Sequence, residues 1–526
     1  MSIQGTNKTI VIIGGGPAGL TAAYRLLAHD GYKVIVLEEC DQVGGIAKTL
    51  NYKGNLMDLG GHRFFTKVKE VQDFWDNIMP LQGTPSVDDM MLGIDKPLNP
   101  GGPNADDDYR VMLLRTRVSR ILYSRFFFDY PVSLSAKTLR GMGLANTFKV
   151  GVGYVKAMLF PRKENSLEDF YINRFGKPLY SMFFENYTEK VWGLHPSQLG
   201  ADWGSQRVKG LSIVAIIKDM LQKTLHINQR KVETSLIEQF IYPKLGPGQL
   251  WECVAQDIET MGGTVSLNTK VVGINLTTDK KVDSVEVINA HGERETIACD
   301  SVFSSMPLKD LVAAMHGAEV PAPVAEVASG LPYRDFITAG LLVKKLNFVN
   351  KTKIKTVDNR IPDTWIYIQE PDVKVGRMQI FNNWSPYLIK DYKGTMWIGM
   401  EYFCNEGDDL WNMSEDAFKQ LAASELAKIG AIDNVDEIID STVHKVKKAY
   451  PAYFGTYKQL DVLRDYLDTI PNLYCIGRNG QHRYNNMDHS MLTAMRAVDA
   501  VLDNKASRDE IWNVNTEQEY HETKSN

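Results

Sequence analysis

The sequence TIVIIGGGPAGLTAAYRLL at residues 9–27 decides the fold, and KVIVLE at residues 33–38 completes it. Residues 9–13 are a short β-branched apolar run, typical of a fully buried parallel strand. Glycines follow in a G-x-G-x-x-G spacing, and residues 20–27 have the composition of a helix. Residues 33–37 form a second apolar run. The order predicts one βαβ unit, the context that a phosphate-binding glycine motif requires.

The glycines of this motif have separate roles in a dinucleotide site. Gly14 allows the tight turn after the strand, Gly16 lets the backbone approach a pyrophosphate, and Gly19 lets the helix pack closely on the strand. The free N–H groups at the start of the helix attract phosphate. Glu38, at the end of the second strand, can accept hydrogen bonds from a ribose diol. With both strands and the acid in place, dinucleotide binding is favoured over a chance glycine-rich turn.

The composition is that of a globular protein without a basic excess. The 526 residues carry 59 Lys+Arg against 64 Asp+Glu, a net charge of −5, and 44% of them are hydrophobic. A mainly disordered chain is excluded because there is enough apolar surface to offset the entropy of ordering. Nucleic-acid binding by bulk charge is disfavoured because no basic excess exists to release counterions. At roughly 150 residues per domain, the length allows two to four domains.

The cysteines and the apolar stretches favour a cytoplasmic protein. The five cysteines lie far apart and none forms a C-x-x-C pair, which argues against a disulfide framework or a metal site. No segment reaches the roughly 20 apolar residues of a membrane helix, and the N-terminus lacks a signal-peptide pattern. Residues 141–161 mix aromatic and aliphatic residues with two lysines. An ordinary buried helix is favoured there over peripheral membrane contact.

Hydrophobic patterning divides the chain into separated segments. Residues 76–239 are rich in helix formers, strand patterns return from about residue 264 and over 336–404, and LYCI at 473–476 is a further buried strand. We predict an α/β fold with three domains and a tail: a discontinuous nucleotide-binding domain (1–75, 240–310 and 450–505), a mainly helical insertion (76–239), a mixed or antiparallel sheet domain (311–449) and a polar, loosely held tail (506–526).

The stretch after Glu38 resembles the amine-oxidase-like flavoproteins. Gly44 and Gly45 in VGGIAKT at 43–49 follow the acid in an E-x5-GG spacing, and DLGGH follows at 58–62. In that superfamily the second glycine pair lies against the cofactor. The resemblance therefore implies FAD, bound in a Rossmann-like domain. Two ordinary glycine turns are the weaker interpretation.

Further motifs resemble one branch of that superfamily, the UDP-galactopyranose mutases, particularly the larger eukaryotic-type forms. The similarity is spread over most of the chain. The matching segments are GIAKT at 45–49, DLGGH at 58–62, YTEKVW at 187–192, ADWGSQR at 201–207, WIY at 365–367, RMQIFNNWSPY at 377–387 and GRNGQHRYNNMDHS at 477–490.

The resemblance implies the site residues position by position. For FAD it implies Gly14, Gly16, Pro17, Ala18, Gly19, Glu38, Glu39, Gly44, Gly45, Ile46, Ala47, Gly60, Gly61, His62, Val271, Gly477, Arg478, Asp488, His489 and Ser490. For catalysis it implies His62, Arg207, Arg377, Tyr367, Tyr484 and Asn486. Arg207 and Arg377 would clamp a substrate diphosphate as planar forks of donors, and the two tyrosines would donate further hydrogen bonds. Arg478 would serve the FAD pyrophosphate, and His62 and Asn486 would lie nearest the flavin ring.

The function that the resemblance implies is a nucleotide-sugar mutase. Such an enzyme interconverts the pyranose and furanose forms of a nucleotide-diphosphate sugar, with a UDP-sugar favoured, through attack of reduced-flavin N5 on the anomeric carbon. NAD(P)H is a candidate reductant, although only one dinucleotide fingerprint is visible in the sequence. The alternative is an FAD-dependent oxidase or desaturase on another small molecule. A non-catalytic flavoprotein is disfavoured because the flavin motifs are intact, and the sequence specifies no oligomeric state.

Overall fold

A computed structural model describes residues 7–130, 136–201, 239–503 and 507–515. The helices in these ranges are α1 Pro17–Leu27, α2 Lys69–Ile78, α3 Val87–Leu92, α4 Ala136–Leu159, α5 Leu167–Phe175, α6 Lys177–Tyr180, α7 Asn186–Trp192, α8 Pro247–Thr260, α9 Leu308–Ala313, α10 Ala322–Ser329, α11 Phe381–Trp384, α12 Asp409–Asn412, α13 Glu415–Lys428, α14 Leu460–Asp468, α15 Gly477–Gly480, α16 Met487–Asp503 and α17 Arg508–Trp512.

The strands run through the same ranges and gather into five sheets. They are β1 Lys8–Ile13, β2 Tyr32–Leu37, β3 Thr49–Tyr52, β4 Asn55–Asp58, β5 Met112–Thr116, β6 Ser119–Tyr123, β7 Phe126–Asp129, β8 Gln239–Pro243, β9 Thr264–Ser266, β10 Lys270–Leu276, β11 Val282–Ile288, β12 Arg294–Ala298, β13 Ser301–Ser304, β14 Met315–His316, β15 Tyr333–Val343, β16 Trp365–Ile368, β17 Arg377–Ile380, β18 Met396–Cys404, β19 Ile438–Pro451 and β20 Leu473–Cys475.

The first sheet is parallel and has the strand order β20-β13-β1-β2-β9. Its central strand β1 is buried on both faces: Ile10 and Ile12 pack towards α1 and α16, whereas Val11 and Ile13 pack towards the β10–β12 sheet. An all-apolar run is what a strand covered on both sides requires. The predicted βαβ unit and the predicted strand at 473–476 are therefore confirmed, with strands from residues 1–75, 264–304 and 473–475 in one sheet.

The largest sheet has the order β19-β15-β18-β17-β16-β6-β7. Most neighbours are antiparallel, but β16 pairs in parallel with β6, so the predicted mixed sheet is confirmed. The outer strands β6 and β7 come from residues 119–129, inside the segment expected to be mainly helical. The mainly helical segment thus also contains strands, because an apolar run such as ILYSRFFFD completes a distant sheet edge that local composition does not reveal.

Two further expectations are corrected by burial. The helix over residues 141–161 exists, as the second part of α4, but one of its faces is open to solvent rather than buried. The polar tail is not loose at its start, since Ile511 and Trp512 of α17 are buried and Arg508 donates hydrogen bonds to the carbonyl oxygens of residues 470, 471 and 473. In the parts of the chain that the structure describes, no helix is both long enough and apolar enough to cross a membrane.

Candidate flavin and substrate site

The turn between β1 and α1 depends on glycine at two places. Gly14 has a φ of +102° and donates its N–H to the Leu37 carbonyl oxygen at 2.8 Å, which ties the turn to β2. A Cβ on Gly19 would lie 2.0 Å from the Gly14 carbonyl oxygen, so any side chain there would push the helix off the strand. These are the tight turn and the close packing that the spacing predicts.

A second glycine turn faces the first. The Gly44 N–H donates to the Gly15 carbonyl oxygen at 2.8 Å, and a Cβ on Gly45 would lie 3.4 Å from the Gly16 Cα. Gly16 stands at the N-cap of α1 with no side chain to satisfy the N–H groups of the first turn, which contains Pro17 and Ala18. Free N–H groups at the start of α1, beside two glycine turns without side chains, suit a pyrophosphate. The residues present therefore fit a dinucleotide.

Glu38 is held next to this cradle. Its side chain is buried, with one carboxylate oxygen accepting from the Gly15 N–H at 2.7 Å and the other from the Cys40 N–H at 3.0 Å. The carboxylate therefore has a fixed orientation, with remaining lone pairs for a ribose diol. Glu39 lies on the surface, and Val271 is buried on β10 opposite Val287. Both stay predicted cofactor contacts.

The C-terminal motif packs against the fingerprint helix. Gly477 has a φ of +75°, donates to Thr493 Oγ1 at 2.7 Å, and a Cβ on it would lie 2.9 Å from the Ala18 Cβ. At the start of α16, His489 Nδ1 accepts from the Asn486 N–H at 3.3 Å, and Ser490 Oγ donates to the Asn486 carbonyl oxygen at 3.0 Å. The motif thus anchors the helix start and leaves the Asn486 side chain exposed.

His62 lies just beyond the β3–β4 hairpin and is half-buried. Its Nδ1 is 3.0 Å from the Gly60 carbonyl oxygen, which can only accept, so Nδ1 carries the proton and Nε2 is left as an acceptor. The pKa of His62 is lowered to about 4, mainly by burial and also by the nearby Arg478 and Arg377 cations, against the opposing effect of the Gly60 carbonyl. The imidazole is therefore neutral at neutral pH.

Arg377 is held from two sides. Its Nε lies 2.7 Å from Glu401 Oε2, and its Nη2 donates to the Tyr450 hydroxyl at 2.7 Å. Glu401 is buried and also accepts from Gln379 Nε2 at 2.6 Å. Burial alone would lower the pKa of Arg377, but the Glu401 carboxylate outweighs it, and the pKa lies well above its ordinary value. The guanidinium is permanently charged and partly exposed.

Arg478 provides a second guanidinium close to His62. Its Nε donates to the Ala449 carbonyl oxygen at 2.9 Å and its Nη1 to the Asn485 carbonyl oxygen at 3.0 Å, while its Cζ lies 4.0 Å from the Tyr484 ring centroid. Its buried Nη2 has no hydrogen-bond partner among the described residues. A buried donor of this kind favours an acceptor supplied by a cofactor or a substrate.

Tyrosine rings surround the two arginines. The rings of Tyr450 and Tyr484 stack at 5.7 Å, and Tyr367 contacts both Tyr187 at 5.6 Å and Tyr130 at 4.6 Å. Burial raises the pKa of Tyr187 well above its ordinary value and that of Tyr450 to about 12. These two hydroxyls therefore stay protonated at neutral pH and can donate hydrogen bonds to an anion.

The structure brings together most of the side chains that the resemblance nominated for catalysis. Tyr367 and Arg377 are paired across β16 and β17, and Tyr484 interacts electrostatically with Arg377. His62 is close enough to Arg377 and Arg478 for both cations to lower its pKa. Arg207 lies outside the described residues. Among the described residues, no hydrogen bond or ring contact joins the exposed Asn486 side chain to this group.

Three further residues of the cluster were not assigned from the sequence. Tyr187 lies within the YTEKVW motif but was given no role, Tyr450 lies at the end of β19 without any motif, and Glu401 faces Arg377 only through the β17–β18 register. The sequence offered one signal for Glu401, which is the acid within the apolar run MWIGMEYFC at residues 396–404. An acid inside a buried strand needs a charged or hydrogen-bonding partner.

The whole chain is similar to flavoproteins. A family model described as "Flavin containing amine oxidoreductase" matches residues 17–502. The "L-amino-acid oxidase" of Crotalus adamanteus is 43% identical over 67 residues, which are 13% of this chain and 13% of that protein. The "Coproporphyrinogen III oxidase" of Mycobacterium leprae is 38% identical over 68 residues, 12% of this chain and 15% of that protein. The chain thus matches only about one-seventh of the length of these curated relatives.

Solved structures match over nearly the full length. A reduced UDP-galactopyranose mutase has a TM-score of 0.75 at 19% identity, covering 98% of this chain and 100% of that one. A putative protoporphyrinogen oxidase from Exiguobacterium sp. has a TM-score of 0.63 at 16% identity, covering 95% and 99%. At these identities the likeness shows the fold alone. It confirms the Rossmann-like FAD-binding architecture with a mixed-sheet domain.

Proposed function

The chain belongs to the family of flavin containing amine oxidoreductases, and within that family we propose that it is a nucleotide-sugar mutase. The reaction would interconvert the pyranose and furanose forms of a nucleotide-diphosphate sugar, with a UDP-sugar favoured. One observation carries this proposal: the charged Arg377 lies with the Tyr367, Tyr450 and Tyr484 rings beside His62. A guanidinium accompanied by hydroxyl donors suits a diphosphate.

The facing glycine turns, Glu38 and the C-terminal motif would hold FAD, with Gly60 and Gly61 leading His62 towards the ring. Reduced FAD, when bound, would supply a nucleophile for the anomeric carbon, and the overall reaction would involve no net redox change. What the chain itself contributes is binding and orientation. The permanently charged Arg377 keeps its position because Glu401 and Tyr450 contact two of its nitrogens.

We infer that the Arg377 guanidinium and the Tyr367, Tyr450 and Tyr484 hydroxyls bind the diphosphate. Together they would fix the diphosphate and bring the sugar to one place, which lowers the entropic cost of reaction. Arg207 is proposed as the second clamp arginine on the basis of the resemblance. Arg478 is assigned to the cofactor, because two of its nitrogens already donate to main-chain carbonyl oxygens beside the C-terminal motif.

His62 is proposed to hold its position as a neutral hydrogen-bond acceptor. Burial is the main reason that the pKa of His62 falls to about 4, and the neighbouring Arg478 and Arg377 cations disfavour a protonated imidazole as well. Neutral Nε2 can accept a hydrogen bond from a sugar hydroxyl or from the cofactor.

An FAD-dependent oxidoreductase on a different anionic substrate is the second candidate. A single described guanidinium with a hydroxyl partner also suits a carboxylate, and the Glu401 carboxylate already balances the charge of Arg377. The same lining disfavours an amine cation, because Arg377 would repel it.

The deciding experiment is anaerobic. The purified holoprotein is reduced with dithionite and given UDP-galactopyranose and a small panel of other nucleotide sugars, and the products are separated by chromatography. We expect a furanose isomer that forms only with reduced flavin. The matched control is the oxidised holoprotein with the same substrates.

The other outcomes separate the two candidates. A flavin spectrum perturbed by UDP, without any isomer, would keep the diphosphate site and exclude the tested sugars. Absence of both effects, together with substrate-driven oxygen uptake, would reject the mutase and support the oxidoreductase.

A further inference from the structure

The second part of α4 presents an apolar face to solvent. Beyond a break in helical geometry at Gly143, the side chains of five residues spaced three or four apart project from the same side. We call this set the α4 stripe; its members and their exposed fractions are Leu144 92%, Phe148 74%, Val152 53%, Val155 47% and Leu159 63%. Over residues 144–159 the stripe extends for about 24 Å. A contiguous apolar patch of this kind marks an interaction surface.

The side of α4 opposite the stripe is the side that packs against the rest of the protein. The opposite side of α4 is already buried through Met142, Val150 and Ala157, which pack with α5 and α6. A Cβ on Gly153 would lie 2.4 Å from Pro178, so the helix touches its own protein closely on that side. Because both sides are apolar, the sequence predicts a buried helix, whereas among the described residues only one side is covered.

The charged residues of the segment that contains the stripe are all basic. Residues 130–163 contain six basic residues and no Asp or Glu; the basic ones are Lys137, Arg140, Lys149, Lys156, Arg162 and Lys163. Arg140, Lys149, Lys156 and Lys163 are exposed, and none of these four forms an ion pair with a described residue. On a helical projection Lys149 and Lys156 lie along one edge of the stripe. Apolar side chains with lysines at their border are typical of helices that lie in the interface of an anionic membrane.

We propose that α4 docks this protein on the surface of an anionic lipid bilayer. The stripe would enter the headgroup region, and Lys149 and Lys156 would meet the lipid phosphates. A second copy of the chain is a poorer occupant, because two such helices would bring their lysines together without an acidic partner. The described helices cannot cross a membrane, so the contact is with the surface. The inference does not rest on the proposed reaction.

The docking helix is close to the candidate substrate site. A Cβ on Gly141 of α4 would lie 2.4 Å from Phe126 of β7, and β7 leads directly to Tyr130, whose ring is 4.6 Å from that of Tyr367. Docking would therefore hold the substrate end of the molecule beside the membrane.

The test is co-sedimentation of the FAD-loaded protein with vesicles. Two compositions are compared: pure phosphatidylcholine, and phosphatidylcholine with about one-third phosphatidylglycerol. We expect binding to the anionic vesicles, and a partition coefficient about tenfold lower for both Lys149→Glu/Lys156→Glu and Phe148→Gln/Val152→Gln/Leu159→Gln. The substitutions are on exposed side chains, and glutamine keeps helix propensity. The matched control, Lys458→Glu/Val462→Ser, changes an exposed lysine and an exposed valine at α14 and should bind like the wild type.

Three results would overturn the proposal. The wild-type protein could fail to sediment with anionic vesicles, or the glutamine variant could bind as well as the wild type. The third result comes from analytical ultracentrifugation without lipid: a dimer that the glutamine substitutions dissociate would make the stripe an interface between copies. Retained flavin absorbance in each variant shows that folding is intact, and the mutase assay can succeed or fail independently of all three.

Discussion

Arg377 and Glu401 face each other across β17 and β18 and form the central ion pair of the candidate site. A buried carboxylate is costly without a partner, so removing Arg377 alone would leave the Glu401 charge unpaired and would destabilise the fold. Glu401 contacts the Nε atom of the guanidinium and Tyr450 contacts Nη2, and the Arg377 side chain is still partly exposed. The charge of Arg377 is therefore held in place by two partners.

Substitution of Arg377 by lysine separates charge from geometry. Lysine can still balance Glu401, but it lacks the planar fork and cannot also bind Tyr450. We expect UDP affinity to fall about 10- to 100-fold while the fold is kept. Calorimetric titration of UDP into the reduced holoprotein measures the effect. The control is Arg294→Lys, at an exposed position on β12. If Arg377→Lys binds UDP as tightly as the wild type does, Arg377 is not part of the diphosphate site.

His482 makes the fold sensitive to acid. It is fully buried, its Nε2 lies 3.0 Å from the Ala452 carbonyl oxygen, and its Nδ1 has no hydrogen-bond partner among the described residues. Nε2 therefore donates and Nδ1 is unprotonated. Burial lowers the pKa of His482 to about 4, although the Ala452 bond acts in the opposite direction. Protonation would bury a charge with one unsatisfied donor.

The sign of the pH effect follows from this lowered pKa. Between about pH 4 and 6.5 the unfolded chain binds a proton at His482 that the folded protein does not, so the free energy of unfolding falls as the pH falls. The slope from one such group is about 1.4 kcal/mol per pH unit. Urea unfolding of His482→Gln over this range should show a smaller slope than the wild type, whereas the exposed-site control His291→Gln should not. Equal slopes in wild type and His482→Gln would falsify this origin of acid sensitivity.

At the scale of elements, α7 fixes the hairpin that carries Tyr367 and Arg377. Lys190 reaches from α7 to the connection between β16 and β17, where its Nζ donates to the carbonyl oxygens of Glu370 at 2.7 Å, Val375 at 3.2 Å and Ile368 at 3.3 Å. Burial lowers the pKa of Lys190 to about 8 against nearby carboxylates. One ammonium thus binds three main-chain carbonyl groups where β16 ends and the connection to β17 runs, which explains a lysine inside YTEKVW.

Replacing Lys190 with methionine should loosen that hairpin. The apolar stem is kept, but the three carbonyl oxygens lose their donor, and we expect a loss of about 2–4 kcal/mol in the free energy of unfolding. UDP affinity should fall as well, because Tyr367 and Arg377 lose their fixed orientation. Denaturant unfolding and UDP titration report the two effects, with Lys281→Met on the exposed β10–β11 turn as control. If Lys190→Met has a lower free energy of unfolding but unchanged UDP affinity, Lys190 has only a structural role.

Over the whole molecule, the C-terminal segment supports the flavin motif. Gln481 Nε2 donates to the Ile511 carbonyl oxygen at 2.8 Å, Arg483 donates to the carbonyl oxygens of Trp512 and Val514, and Trp512 Nε1 donates to Asp468 at 3.1 Å. The Trp512 ring is buried in the core beneath the parallel sheet. Residues 507–515 therefore hold the loop that presents Tyr484.

Removal of the Trp512 side chain tests this support. We expect Trp512→Ala to cost about 3–5 kcal/mol in the free energy of unfolding, because the core cannot fill the space of an indole. FAD should also be released more readily on dilution, as measured by flavin fluorescence after ultrafiltration. Trp411→Ala, at a half-exposed position on α12, should leave FAD retention unchanged. Normal FAD retention in Trp512→Ala would show that the segment stabilises the fold without supporting the motif.

Features formed within short stretches of chain are predictable from the sequence. The βαβ unit at residues 8–37 follows from an apolar run, three spaced glycines and a second apolar run, because strand burial and glycine conformation are local properties. The β10–β11 hairpin and the strand at 473–475 follow in the same way. The nomination of His62, Arg377, Tyr367 and Tyr484 came from motif resemblance, and the structure places all four in one cluster.

Other features were decided only by the tertiary structure. Glu401 and Tyr450 join Arg377 through strand register and through a residue 73 positions away, the strands at 112–129 complete distant sheets, and the tail docks on the motif it follows. The solvent-facing stripe of α4 belongs here too, since apolar residues on both sides of a helix do not reveal which side the protein covers. In each case burial and electrostatics depend on partners far away in the chain, which periodicity and spacing do not encode.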